Sequence, residues 1–326
     1  MTERAAIAQV LQLAKETTSG TAMTTGFKKL QSVGFSVHPM LETRLVRPAG
    51  SKYPTIAILG RDWSQLSIAG DAAYQDLQYL FQSVVGNVVN TTNNHKYHLS
   101  TTGPDVVNTL TVQRGEDAGR FEEAAGVQVN DLSLAFSRQA VSVSGAALGK
   151  ATRFGTGGVA AGGTVLALEP LLPQDVCVYF DPSFAALGTT KELRTLSATW
   201  SIANRFNPLW VLDCAESSYV ALVEATPDVR CELLVEADTQ GVAFVDTYAR
   251  AGANGFLRIE ADGGTIGGSA YLLSIDTSVT VVSVGELGDS DGVYAFSIQM
   301  EGVIAPWATA APGICQINLD NGIAAL

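Results

Sequence analysis

Beyond residue 25 the chain is dominated by runs in which apolar and polar side chains alternate, the period of strands with one buried face. Val127 and Val129, then Leu132, Leu134 and Phe136, keep this period except for a one-residue slip near Asp131, which predicts a β-bulge. Cys231, Leu233 and Val235 alternate with Glu232 and Glu236, and Tyr294, Phe296, Ile298 and Met300 form the cleanest run. Turn chemistry separates the strands at Asp262-Gly263-Gly264, Asp289-Ser290-Asp291-Gly292 and Asp320-Asn321-Gly322.

Helical spacing occurs in three places. Residues 3–16 predict a short helix capped by Thr2, with Ile7, Val10, Leu11 and Ala14 on one stripe, followed by a flexible polar arm over residues 17–25. Residues 71–86 place Tyr74, Leu77, Phe81 and Val84 on one stripe, and residues 238–252 do the same with Val242, Val245 and Tyr248. Each of these two opens on an Asp suited to capping and closes on a Gly suited to the left-handed position. Each also follows an apolar strand, residues 65–68 and 232–235. Their starts lie 238 − 71 = 167 residues apart in a chain of 326.

That spacing predicts a duplication: a mainly β fold of two tandem β-sandwich or barrel domains, each with one flanking α-helix. Side-chain identity between the copies is low. A second echo, Leu132-Ser133 and Phe136-Ser137 against Leu196-Ser197 and Trp200-Ser201, has a different offset. The Gly- and Pro-rich residues 155–173 read as a linker. The expected map is an N-terminal helix and arm (1–35), a first β-domain (36–160) and a second (161–326). Two further loops, residues 44–54 and 87–104, are long enough to be functional.

Composition narrows the class. Hydrophobic residues make up 47% of the chain, which can build a core, and only 16% are charged. So sparse a charged surface suits an exterior covered by partner subunits. The net charge is 20 − 32 = −12, the opposite of a free nucleic-acid binder. No apolar run reaches the ~20 residues of a membrane span, and no signal-peptide pattern opens the chain. Charge is polarised: residues 1–150 hold 13 basic and 12 acidic side chains, residues 151–326 hold 7 and 20. Such halves suit head-to-tail contacts between copies. Cys177, Cys214, Cys231 and Cys315 form no CxxC pair and read as buried free thiols.

Candidate chemistry is sparse. Residues 155–160 fit GxGxxG/A loosely, but Gly162, Gly163 and Pro170 spoil the helix that a dinucleotide site needs. Residues 145–150 resemble a phosphate loop with one residue too few, and Ala151 stands where Ser or Thr is required. His95 and His98 sit in a polar loop without a third metal ligand. Asp289 and Asp291 lack the later ligands of a calcium loop. Glu122 and Glu123 read as a solvated loop, and a hydrolytic triad has no Ser or Cys elbow. No enzyme activity, cofactor or metal is expected.

Several short pieces together resemble the major tail tube proteins of long-tailed, siphovirus-like bacteriophages. These are Ala14-Lys15-Glu16-Thr17-Thr18-Ser19-Gly20-Thr21-Ala22, residues 59–86, Ala203-Asn204-Arg205-Phe206-Asn207-Pro208, Phe256-Leu257-Arg258-Ile259, Asp289-Ser290-Asp291-Gly292-Val293-Tyr294 and residues 307–326. The resemblance implies a β-sandwich with a flanking helix, polymerised into stacked rings around a channel for DNA. The helix spacing matches the duplicated tube-domain type, which implies trimeric pseudo-hexameric rings, with hexameric rings as the alternative. An extra immunoglobulin-like domain is not expected. Implied partners are other copies of the chain, a tape measure protein and tail terminator or tip proteins, with transient DNA passage and no membrane anchor. The implied location is the virion tail, after synthesis in the host cytoplasm. The N-terminal arm and residues 44–54 are the expected stacking elements, with Ile7, Val10, Leu11, Arg44, Arg47 and Lys52 as contacts; deleting residues 1–20 is expected to block polymerisation and spare the fold. Competing expectations are a capsid decoration or tail terminator protein and a carbohydrate-binding β-sandwich, although Trp63, Trp200, Trp210 and Trp307 sit beside apolar residues and read as packing.

Overall fold

A computed structural model of the chain describes residues 9–91, 93–192, 194–214, 216–266, 268–305 and 313–323. The fold is mainly β. The first half runs β1 (Val10–Lys15), β2 (Lys28–Lys29), β3 (Val33–Val46), β4 (Ile56–Asp71) and helix α1 (Tyr74–Val85). It continues through β5 (Asn87–Thr91), β6 (Asn94–His98), β7 (Leu110–Gly115), β8 (Phe121–Ser137), β9 (Val141–Lys150), β10 (Arg153–Gly155) and β11 (Thr164–Val165). The second half runs β12 (Val176–Asp181), β13 (Thr195–Ala203), β14 (Phe206–Leu209), β15 (Ala221–Glu224), β16 (Asp228–Glu236) and helix α2 (Thr239–Phe244). A π-helical turn, Val245–Arg250, extends α2. Then follow β17 (Asn254–Ile266), β18 (Ser269–Val284), β19 (Gly288–Ser290), β20 (Val293–Gly302) and β21 (Cys315–Asp320).

One order of antiparallel pairing occurs twice. In the first half β1 pairs with β7, β7 with the start of β8, and that part of β8 with β10. In the second half β12 pairs with β17, β17 with the start of β18, and that part of β18 with β21. The rest of β8 pairs with β9, β9 with β4 and β4 with β3. The rest of β18 likewise pairs with β20, β20 with β16 and β16 with β13. Both long strands carry a register shift at the same place, Val129/Asp131 and Val281/Ser283. The extra residue bends each strand near the place where its pairing partners change. The β8–β13 pairing joins the halves into one row, β3-β4-β9-β8-β13-β16-β20-β18. No barrel closes among the described residues.

The main apolar core runs through both halves, with a small second cluster of Leu187, Phe256 and Ala305. All residues of α1 are buried, and Phe81 meets Trp200 across the halves with ring centroids 6.4 Å apart. Asp76 in its first turn accepts hydrogen bonds from the amides of Gln31, Ser32 and Val33 and from the Ser32 hydroxyl, which fixes the entry into β3. Gly86 ends α1 at φ 87°, a conformation that favours glycine. Asp238 caps α2 by accepting from the Gly241 amide.

Several expectations change. Residues 10–15 form a strand between β2 and β7, so the predicted helix over 3–16 does not include them. Buried Gln12 decides this, because its amide bonds Gln113 and the Ala160 carbonyl. Residues 17–25 are no free arm: Glu16 accepts from the Gly20 and Gly126 amides and the Thr109 and Thr111 hydroxyls, and the Met23 amide donates to Thr111. Deleting residues 1–20 would remove β1 and its pairing with β2 and β7, so the deletion is now expected to destabilise the fold. Residues 155–173 are no loose linker, since β11 pairs with β2 and Val159, Leu166 and Leu171 are buried. In the loop expected over residues 87–104, β5 and β6 pair with each other, and β6 docks on β21. The Asp262-Gly263-Gly264 turn is instead a bulge within the β17–β18 pairing. Asp71 ends β4 and does not cap α1, whose capping position is held by Ala73. The serine echo is a pairing of partners, with Ser133 opposite Ser201 and Ser137 opposite Ser197. Cys214 is exposed, whereas Cys231 and Cys315 are buried and burial pushes the Cys231 thiol up to about 12.

Candidate functional site

The eight-strand row has one face in the core and one in solvent. Opposed residues across it follow from the register. One solvent-side file reads Gly34, Ala69, Ser144, Ser133, Ser201, Arg230 and Glu301. The next reads Asp71, Ser142, Ala135, Thr199, Glu232, Gln299 and Ser283. Period-two alternation sends small polar side chains outward and Leu134, Trp200, Cys231 and Met300 inward. The result is a smooth wall of Ser, Ala and Thr with carboxylates set into it. Asp71, Asp131, Glu232 and Glu301 supply its negative charge, while Glu236 is paired with Arg194 at 2.7 Å. The guanidinium of Arg230 on this face is held by Asp228 at 2.8 Å and approached by Glu301 at 3.9 Å.

The ends of the row are open. β3 pairs with β4, and its other edge meets no strand among the described residues. At the far end, residues 281–290 pair with β20 on one side, no strand pairs with the other side among the described residues, and Val282, Val284 and Leu287 are exposed. The same two positions inside the chain are closed. β13 is the counterpart of β3, the later part of β8 is the counterpart of residues 281–290, and these two pair with each other. An open edge of this length is a ready template for another chain.

The rim of the row carries two projecting tips. The β3–β4 tip exposes Leu41, Leu45, Tyr53, Ile58 and Leu59. The β14–β15 excursion lies between β13 and β16, as that tip lies between β3 and β4. The two tips touch: the Asp62 amide donates to the Ser217 carbonyl, Arg61 lies 5.0 Å from the Trp210 ring, and Trp63 meets Trp210 edge-on at 5.6 Å. A groove of about 990 Å³ runs between them.

Of the expected contact residues, Arg44 lines this groove, and Arg47 and Lys52 sit at the exposed turn of the β3–β4 tip. Arg47 donates to the Ser51 carbonyl and Lys52 lies over the Tyr53 ring. Val10 and Leu11 are half-buried in β1, opposite Gly115 and Arg114, and do not join the basic tip. Ile7 and Trp307 lie outside the described residues.

The chemical motifs dissolve into structure. Residues 155–160 lead from β10 into a turn packed on residues 116–119, with no helix behind it. Residues 145–150 lie within β9. His95 and His98 stand in β6, where a spacing of three sends them to opposite faces. His95 is buried between the Asn90 side chain and the Ile323 carbonyl. Glu122 and Glu123 are neighbours on β8, not a loop, with Glu123 bonded to Gln113 and Glu122 near Arg114. Asp291 and Gly292, both at positive φ, make the β19–β20 hairpin turn. Among the described residues no group of His, Cys, Asp and Glu is placed to hold a metal, and no helix is long and apolar enough to cross a membrane.

Sequence reading missed the importance of Arg205, which has no exposed side-chain surface and bonds the Val84 and Val85 carbonyls that end α1. It also pairs with Asp105 at 2.7 Å and Glu224 at 3.1 Å. Its signal lay in a basic residue at the end of an apolar strand, between Asn204 and Phe206. No family model matches this chain, and no curated protein matches its sequence.

Proposed function

We propose that the protein is a tail tube subunit of a long-tailed bacteriophage, polymerised head to tail into rings that stack around a DNA channel. The observation that carries this reading is the pair of open edges, each the structural counterpart of an edge that is already paired inside the chain. Repeating the internal joint between copies sets residues 284–289 of one beside residues 34–39 of the next. Heterologous contacts of this kind close into rings or run on as filaments. The repeated pairing order is the trace of two tandem tube domains, roughly residues 36–160 and 161–326. Three copies then make a ring of six repeats.

The small-residue face becomes the channel wall. Its carboxylates repel phosphates, so DNA slides without the salt-dependent grip that lysines and arginines would give it. The tips on the rim become the stacking surfaces between rings, with Arg44, Arg47 and Lys52 on one of them. Tape measure and terminator or tip proteins are the expected partners inside and at the ends of the tail, which is the expected location of the protein in the virion. Negative-stain microscopy of the purified chain at rising concentration tests this: hollow tubes support it, discrete rings alone favour a terminator, and lone particles throughout remove it.

A further inference from the structure

We infer that α2 is the seat of the neighbouring copy in the ring; this rests on the head-to-tail reading above and adds to it a specific contact. α1 and α2 hold the same place in the repeated pairing order, one after β4 and the other after β16. Their surroundings differ. α1 is buried on all sides, and the half of the chain beyond the β8–β13 joint seals it. That half supplies the Trp200 ring beside Phe81 and the Arg205 guanidinium on the Val84 and Val85 carbonyls. It also supplies Asn321, which donates to the Tyr74 carbonyl and to Gln78.

Among the described residues the ring contacts of α2 and the turn that extends it come from its own half. Phe244 and Tyr248 pack on Phe180 at 4.6 and 4.5 Å, and the opposite side stays in water. Val242 is 50% exposed, and Ala243, Asp246, Thr247 and Arg250 are exposed with it. An exposed apolar side chain at the start of the stripe and a π-helical second turn mark a helix whose packing is incomplete.

The internal joint identifies what completes it. Val37 is the counterpart of Trp200: the file Val37-Leu66-Ala147-Val129 matches Trp200-Cys231-Met300-Val281, each ending at its bulge. Five residues after Trp200 stands Arg205; five after Val37 stands Glu42. Within the chain a cation thus meets the end of α1. Between copies the exposed carboxylate of Glu42, which in the single chain lies 3.7 Å from Arg61, meets α2, whose last turn carries the exposed cation Arg250. The charges are complementary in both joints with their sides exchanged. The Asp246–Arg250 pair at 2.8 Å holds the guanidinium ready on the free helix.

The test is a charge exchange read by light scattering and microscopy on the full chain, with hydrogen exchange on the amides of residues 242–250. Arg250→Glu and Glu42→Arg are both exposed changes that leave the unassembled fold intact by circular dichroism. Each alone is expected to raise the concentration needed for assembly by about tenfold, and the double variant to return it to near the parent value. Assembly of the parent is expected to slow exchange at 242–250. Single variants that assemble like the parent, a double variant that stays impaired, or amides that still exchange freely in tubes each overturn the seat and leave the ring reading standing. A parent chain that never assembles overturns both.

Discussion

Replacing Arg205 by methionine keeps length and apolar bulk and removes one charge from the centre of the molecule. Asp105 then loses its 2.7 Å partner while its own side chain remains 1% exposed, and the Val84 and Val85 carbonyls lose their donor. Removing one member of a buried ion pair costs about 3–5 kcal/mol. The uncapped carbonyls push the cost toward the upper value. At a urea slope of about 3 kcal/mol/M, the unfolding midpoint of Arg205→Met falls by about 1–1.7 M.

The pH dependence gives a second readout. Burial already raises the Asp105 carboxyl above its ordinary value, against the downward pull of the Ser100 amide and Arg205. Burial also pushes Glu224 up, but the Asp105 amide and Arg205 outweigh it and hold it below the ordinary value. Losing Arg205 moves both folded-state values upward. A carboxyl raised in the folded state binds its proton more tightly there than in the unfolded chain, so its ionisation weakens the fold as pH rises from the unfolded value of about 4 through the folded one. The deficit of the variant against the parent is therefore full at pH 8 and shrinks toward pH 5. Urea melts of both proteins across that range measure it. A deficit under 1 kcal/mol, or one that grows as pH falls, refutes the role given to this network.

Other changes probe other levels. Gly86→Ala places a Cβ against the Val106 carbonyl at a φ of 87° and should lower stability by well over 1 kcal/mol in thermal melts. Val284→Lys lies on the open edge and should change stability by less than about 0.5 kcal/mol while abolishing rings in size-exclusion light scattering. Ser144→Arg on the channel wall should leave assembly intact and make tubes retain duplex DNA at low salt, releasing it as salt rises, in a filter-binding assay.

The strands with clean alternation were legible because each buries one face. Tyr294 to Met300 is β20, and the slip near Asp131 is the bulge that bends β8. The cap at Asp238 and the glycine at 86 were legible because both act locally. β1 was not, since Val10, Leu11 and Ala14 satisfy helical spacing and only the distant partners of Gln12 select the strand. Helix spacing hinted at a duplication, and the repeated order of pairing supports that proposal where side chains differ: five residues past the matched pair Trp200 and Val37 stand Arg205 and Glu42. The small-residue wall and the open edges could not be read from sequence, because a serine on this face and a serine on any other solvated strand look alike until the register is known.

A helical reconstruction of assembled protein by electron cryo-microscopy measures the central claim directly. The account predicts three chains per ring, with residues 34–39 of each hydrogen-bonded to residues 284–289 of its neighbour and Ser144 and Ser201 facing the bore. Rings of six chains, or edges held apart with that face turned outward, would contradict it.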